Sequence, residues 1–297
     1  MPNIYQQIDS NKRQTVLIVA LFMGIVALIA WFIGEYFIEG SGLPLAAIAI
    51  LFSGFSSFIS FYESDRLVLL LSNAKAVTVE EEPDLHNLVE NMSIASGIPK
   101  PFVYVIEDSA MNAFATGRDP QHGALALTRG IIKGLEKREL EGVIAHEMSH
   151  IGNRDTLIMT VVSVLVGSLA LLSDWFTRGI FYSGRRNRDS SIGPFFLVGL
   201  VFLILSPLIG ALIKMAISRN REYLADSTAA LITRYPKGLA DALEKLAADQ
   251  QILYVANSAT SHLYIDDPVN GRNTNWYTNL FNTHPPIEER VKRLRSM

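Results

Sequence analysis

Long uncharged apolar segments constrain the fold of this 297-residue chain more than any other sequence feature. Four segments contain no Asp, Glu, Lys or Arg, and they cover residues 15–33, 43–62, 156–173 and 191–213. A helix of about 20 apolar residues spans the roughly 30 Å hydrocarbon core of a bilayer. The sequence therefore predicts a mainly α-helical, multi-pass membrane protein with about four transmembrane or membrane-embedded helices.

Some of these segments have an alternative interpretation. The first could belong to a cleaved signal peptide, but its apolar run is long for one and no small-residue cleavage site precedes Glu35. The third and fourth would also suit a buried core hairpin, because their glycines and Pro207 are tolerated in both settings. That second alternative stays open from the sequence.

The charges flanking the first segment predict its orientation. Lys12 and Arg13 precede it, whereas the connection to the second segment carries Glu35 and Glu39 without Lys or Arg. Loops rich in Lys and Arg remain on the cytoplasmic side of a membrane, so we expect a cytoplasmic N-terminus. We therefore expect a protein of the cell (plasma) membrane. Its polar region at residues 63–155 then faces the cytoplasm.

The connection between the third and fourth segments does not fit this scheme easily. It contains more Arg than Asp, with Arg178, Arg185, Arg186 and Arg188 against Asp174 and Asp189. Two full crossings would leave this basic loop outside, whereas a hairpin that only dips into the membrane would keep it inside. We expect two crossings, because early helices usually determine orientation.

A metal-binding motif lies in the polar region. Residues 137–153 have helical apolar spacing, so His146 and His150 share one helix face with Glu147 beside them. Two imidazoles at this spacing with an adjacent carboxylate are typical of a zinc site with its own general base. The chain has no Cys, so any metal has to be held by His and carboxylates.

A third ligand is needed, because catalytic zinc takes three protein ligands and leaves one position for water. Glu222 is the best candidate. Asp226 follows it by four residues on a predicted helix, so Glu222 can bind the metal while Asp226 reaches the second ring nitrogen of a ligand His. Alternatively, both acids face solvent or pair with Arg219 and Arg221.

The polar parts contain short strands as well as helices. Residues 102–106, 112–116 and 124–128 have strand composition, and they predict a small sheet with at least one free edge. Helices are predicted at residues 84–95, 217–233, 237–250 and 287–295, and a long loop or lid at 252–283.

Four pieces of sequence, in this order, resemble the HtpX-type membrane metalloproteases, which are gluzincins related to the membrane CAAX-processing proteases. They are residues 112–117, the motif from His146 to His150, residues 218–226, and His284-Pro285-Pro286 before Glu288-Glu289-Arg290. The resemblance covers nearly the whole chain. It implies a gluzincin-like zinc metalloprotease core in which His146, His150 and Glu222 hold one Zn²⁺ per chain and Glu147 is the general base.

The resemblance also implies roles outside the metal shell. Asn112, Ala113, Phe114 and Ala115 match the edge strand to which an extended substrate adds through main-chain hydrogen bonds. An ordinary hairpin strand is the alternative. His284 would donate a hydrogen bond to the oxyanion, although a His before two prolines is also typical of a structural or solvated residue.

Together these features predict a membrane-bound zinc endopeptidase that hydrolyses misfolded or damaged membrane proteins at the cytoplasmic face. The alternatives are the same chemistry on specific peptides or lipidated C-termini, or a non-catalytic scaffold with a structural metal site. The net charge of −3 and the lack of a basic stripe argue against a nucleic-acid partner. We expect four parts: a hairpin at 1–62, protease parts at 63–155 and 214–297, and a second hairpin at 156–213.

Overall fold

The structure is a computed structural model, which describes residues 4–37, 40–165, 167, 219–249, 251, 253, 263–265 and 285–297. Within these ranges it is mostly helical with one small sheet, as predicted. Most of the second apolar hairpin and His284 lie outside the described residues. The division into four parts remains a prediction.

Two long helices begin the chain, α1 at Ile4–Phe37 and α2 at Gly42–Leu71. They pack against each other, and the Ser41 N–H just before α2 donates to the Gly34 carbonyl of α1 at 3.1 Å. A Cβ at Gly34 would lie 2.6 Å from the Ser41 oxygen, so this approach requires glycine.

Both helices are long and apolar enough to cross a membrane. Their mean hydropathy reaches 3.0 within Asp9–Tyr36 and 1.9 within Gly42–Leu71, and only 11% and 17% of those stretches are buried inside the protein. A hydrophobic helix that is not covered by protein is expected to contact lipid. The first two predicted membrane helices are therefore supported by length, composition and exposure.

The third apolar segment begins with a helix, α6, at Asp155–Leu165. It packs against α1 through an apolar cluster that includes Ile18, Phe22, Ile158 and Val162. On its other side, the Ser60 hydroxyl of α2 donates to the Val161 carbonyl at 3.3 Å. The predicted count of about four membrane helices is not confirmed, because the continuation of this segment and all of the fourth are outside the described part of the chain.

The sheet has four strands in the order β1-β2-β4-β3. They are β1 at Lys75–Ala76, β2 at Phe102–Ile106, β3 at Ala113–Thr116 and β4 at Ala124–Thr128. β2 and β4 are parallel, whereas β1 and β3 are antiparallel edge strands. The sequence predicted the last three strands, but the two-residue β1 is too short to produce an alternating pattern.

Six further helices complete the described fold: α3 at Pro83–Ser96, α4 at Arg129–Gly134, α5 at Lys137–Gly152, α7 at Arg219–Thr233, α8 at Pro236–Ala248 and α9 at Ile287–Arg295. The central one is α5, which contacts α3, β3, β4, α7 and α8 and is buried almost continuously from Leu140 to Ile151. Its N-terminus has a capping box between Glu136 and Glu139. The sheet, α7 and α8 thus fix the helix that carries the predicted metal motif.

Candidate metal centre

Three predicted ligands come together between α5 and α7. The Nε2 atoms of His146 and His150 lie 3.2 Å apart. The Glu222 carboxylate lies 3.7 Å from His146 Nε2 and 3.6 Å from His150 Nε2. One ligand atom from each of the three side chains fits within a 4.8 Å span, and all three are buried.

This donor set fits a zinc ion. Two ligands of a tetrahedral zinc, each about 2.0 Å from the metal, lie roughly 3.3 Å apart, which is close to the spacing of the two Nε2 atoms. The surrounding charge is also suitable, because the carboxylates of Glu147, Asp155, Glu222 and Asp226 are all buried near the imidazoles. A bound cation would offset part of that buried negative charge.

A carboxylate faces the outer nitrogen of each imidazole. Asp226 Oδ1 lies 3.0 Å from His146 Nδ1, and Asp155 Oδ2 lies 3.1 Å from His150 Nδ1. When each Nδ1 carries the proton and donates it to its carboxylate, each Nε2 lone pair points inward. The predicted contact of Asp226 with a ligand His is present, whereas Asp155 was not predicted.

Asp155 also influences the charge of its histidine. Burial by itself would lower the pKa of His150, but the hydrogen bond to Asp155 and the charge of Glu222 outweigh it and raise the pKa to about 9. The protein's own groups thus favour positive charge at this position.

Arg290 of α9 is a second residue that the sequence reasoning missed. It is fully buried, and its Nε and Nη2 donate to the two oxygens of Asp226 at 2.9 and 2.7 Å. Its Nη1 lies 3.5 Å from Glu222 Oε2. Burial raises the pKa of Asp226, but Arg290 and the His146 contact outweigh it, so the pKa falls below its usual range.

Glu147 lies beside the metal ligands on α5 and is almost inaccessible to solvent. Burial raises the pKa of this carboxyl, although His146, His150 and a hydrogen bond from the Ala115 backbone N–H act in the opposite direction. Burial disfavours the charged form of the Glu147 carboxyl, which suits this group to exchange protons at neutral pH.

The edge strand β3 lies against α5, with Ala115 next to Glu147. Its outer side already has partners. The Ile265 N–H donates to the Ala113 carbonyl at 3.0 Å, and the Ala113 N–H donates to the Asn112 side chain at 3.0 Å. Tyr264 packs edge-on against Phe114 at 5.1 Å. A short piece of this chain, residues 263–265, therefore covers one end of the predicted substrate strand.

Comparison with known proteins identifies the family. The sequence profile described as Peptidase family M48 matches residues 79–297, which is more than half of the chain. The chain belongs to peptidase family M48. This M48 peptidase is also 44% identical over 293 residues to a protein named Protease HtpX homolog from Dictyoglomus thermophilum, covering 99% of this chain and 94% of that protein. A Protease HtpX homolog from Thermoanaerobacter pseudethanolicus is 44% identical over 300 residues, covering 99% of this chain and 98% of its own.

A solved structure has the same fold. The crystal structure of S. mikatae Ste24p superposes with a TM-score of 0.51 at 18% identity, covering 98% of this chain and 67% of Ste24p. The predicted resemblance to HtpX-type metalloproteases is confirmed by the relatives, and with it the enzyme class and zinc as the cofactor. The M48 peptidase is a zinc metalloprotease with membrane helices.

Proposed function

We propose that His146, His150 and Glu222 hold the zinc ion and that Glu147 is the general base of an endopeptidase acting at the cytoplasmic face of the membrane. This assignment rests on the convergence of three buried donor atoms within 4.8 Å. Glu147 lies on the same helix as the two histidines. Both protease parts contribute, because α5 belongs to residues 63–155 and α7 to residues 214–297.

The protein's own groups would divide the chemistry of peptide hydrolysis among them. When bound, zinc lowers the pKa of a water molecule towards about 7 and polarises the scissile carbonyl. Glu147 takes a proton from the attacking water, whose oxygen bonds to the carbonyl carbon. Glu147 then delivers that proton to the amide nitrogen as the C–N bond breaks, giving a carboxylic acid and an amine. Asp226 and Asp155 keep the two imidazoles oriented throughout.

The substrate would bind as an extended strand beside β3. In the antiparallel β3–β4 register, the backbone groups of Ala113 and Ala115 point away from β4. Those groups would pair with the substrate backbone, so modest sequence specificity is expected. For this to happen, a substrate N–H has to replace that of Ile265 at the Ala113 carbonyl. Substrate carbonyls likewise have to replace Asn112 at the Ala113 N–H and Glu147 at the Ala115 N–H.

His284 would donate a hydrogen bond to the oxyanion formed during attack. It lies outside the described residues, but it comes directly before Pro285 and α9. The proposal is supported by the position of α9 itself, whose Arg290 contacts Asp226 beside His146.

The location near the membrane supports membrane proteins as substrates. Only a short turn separates α5 from α6. The apolar residues of α6 pack against the candidate membrane helix α1. The basic pair Lys12 and Arg13 at the start of α1 supports a cytoplasmic orientation. We propose the removal of misfolded or damaged membrane proteins, which expose chain segments near the bilayer, as the physiological role.

The decisive experiment compares wild type with Glu147→Gln in detergent micelles. The variant should retain one zinc per chain and lose cleavage of casein and of a destabilised membrane protein by at least about 100-fold. Glu141→Gln, a partly exposed acid on the same helix, is the matched control and should keep full activity. Unchanged cleavage by Glu147→Gln would contradict the assignment. Faster cleavage of a lipidated C-terminal peptide than of either protein would favour the narrower substrate class.

A further inference from the structure

A hydrogen-bonded chain connects the first membrane helix with the metal centre. Asn11 of α1 is buried, and its Nδ2 donates to Asp155 Oδ1 at 2.7 Å and to the Asn153 carbonyl at 2.9 Å. The other oxygen of the same carboxylate, Asp155 Oδ2, lies 3.1 Å from His150 Nδ1. Asn11 is 144 residues away from Asp155 in sequence, so this contact depends on the tertiary fold.

We propose that Asn11 is a positioning residue for the metal centre, because it fixes the Asp155 carboxylate that orients His150. The proposal rests on the assignment of His150 as a zinc ligand. A carboxylate with one oxygen held by an amide donor keeps its plane, and its second oxygen then accepts from a single imidazole orientation.

The two histidines differ in how their carboxylates are held. Both oxygens of Asp226 accept hydrogen bonds from the buried Arg290. Asp155 Oδ1 instead accepts from the neutral amide of Asn11 at 2.7 Å, and Arg221 Nε lies farther away, at 3.9 Å. A neutral donor holds a carboxylate without removing as much of its negative charge as an ion pair does, so Asp155 remains a strong acceptor for His150.

Helix packing alone does not account for the position of Asn11. Farther along the two helices, an apolar cluster joins α1 and α6, with Ile18 and Phe22 packed against Leu157 and Val161. A buried amide beside apolar side chains is unfavourable unless it is hydrogen-bonded, and the Asn11 Nδ2 has two acceptors. Its two acceptors, the Asn153 carbonyl and the Asp155 carboxylate, lie just before and at the start of α6, directly after the metal motif. Docking of α1 on α6 therefore delivers the amide to the outer side of the zinc site.

The test measures zinc affinity, not only activity. Zinc-stripped protein in detergent micelles is titrated with zinc against a chromophoric chelator, for wild type, Asn11→Leu and the control Asn87→Leu, an exposed Asn on α3. Asn11→Leu should weaken zinc binding by up to about 10-fold, which is less than the roughly 10–100-fold loss usual when the direct hydrogen-bond partner of a ligand is removed, and Asn87→Leu should not change it.

A double-mutant cycle separates positioning from a general loss of structure. If Asn11 acts through Asp155, then Asn11→Leu should cause no further loss of zinc affinity once Asp155→Ala is present. Fully additive losses, or wild-type affinity in Asn11→Leu, would overturn the proposal. If Asn11→Leu does not fold, Asn11→Ser is used in the same cycle with the same two outcomes. A His150→Ala variant that binds zinc as tightly as wild type would instead refute the ligand assignment of the proposed function.

Discussion

Arg290 and Asp226 form a two-point ion pair in the interior, with the guanidinium nitrogens 2.9 and 2.7 Å from the two carboxylate oxygens. This pair joins α9 to α7 directly behind His146. Removal of one partner from a buried ion pair leaves an uncompensated charge, which is far more costly than the loss of a surface pair.

Arg290→Met should therefore destabilise the protein by about 3–5 kcal/mol and reduce zinc occupancy. Arg295→Met on the same helix is the control, since Arg295 pairs with Asp241 and Glu244 at the surface and should contribute less than about 1 kcal/mol. Thermal unfolding followed by tryptophan fluorescence, together with zinc content by mass spectrometry, tests both variants. Equal losses of stability in the two variants would show that the buried ion pair contributes no more than the surface pairs.

Asp226→Asn should preserve the side-chain shape but weaken zinc binding by about 10–100-fold, because an amide can turn its NH₂ group towards His146 Nδ1 and disturb the tautomer. Asp241→Asn, a more exposed acid on α8, is expected to leave zinc affinity unchanged. Equilibrium zinc titration against a chelator of known affinity provides the comparison. Wild-type affinity in Asp226→Asn would mean that His146 does not depend on this carboxylate.

Removal of zinc should abolish cleavage and also lower the melting temperature. A ligand that binds only the folded state stabilises it by about 4 kcal/mol when present at about 1,000 times its dissociation constant. Activity and melting temperature should both return when zinc is added back. Mg²⁺ is the control ion and should restore neither, since it prefers an oxygen-only octahedral shell. Cleavage that persists in a strong chelator after complete loss of zinc would refute metal-dependent catalysis.

Tyr264→Ala should increase the affinity for extended substrates. Tyr264 is fully buried against Phe114, and its hydroxyl donates to Ser72 Oγ at 3.2 Å, which keeps Ile265 on the Ala113 carbonyl. Loss of the ring weakens this competing contact, so KM should fall severalfold with little change in kcat. Tyr264→Phe, which removes only the hydroxyl, should have a smaller effect. A rise in KM would mean that residues 263–265 help to bind the substrate.

Gly142→Ala should destabilise the protein by about 1–3 kcal/mol, because a Cβ there would lie 2.8 Å from the Leu239 backbone nitrogen of α8. Gly24→Ala on α1 is the matched control. A Cβ at Gly24 meets nothing within 4 Å, and alanine is the better helix former. The melting temperature of Gly142→Ala should therefore fall. That of Gly24→Ala should rise or stay unchanged.

Features that depend on local spacing were predictable from the sequence. β2, β4 and α9 have the predicted bounds, and His146 and His150 share a helix face because a spacing of four does so in any α-helix. The same spacing of four selected the pair Glu222 and Asp226, but the proposed ligand role of Glu222 also rested on the resemblance to HtpX-type metalloproteases. These predictions needed no knowledge of how the helices pack.

The outer partners of the site were not predictable in that way. Asp155 follows His150 by five residues across a helix break, so helical spacing does not connect the two. Arg290 and Asn11 lie 64 and 144 residues from their carboxylates. One signal for Arg290 was present: it occupies the same apolar stripe of α9 as Ile287, Val291 and Leu294, where a solvent-facing arginine would not be expected.

The distance in sequence between Arg290 and Asp226 also has a consequence for biosynthesis. A ribosome makes the His146 motif and Glu222 first, and has to add 64 residues after Asp226 before the arginine that neutralises it exists. Until then Asp226 has no guanidinium partner to hold it behind His146. The ion pair behind His146 can therefore form only after nearly the whole chain has been synthesised.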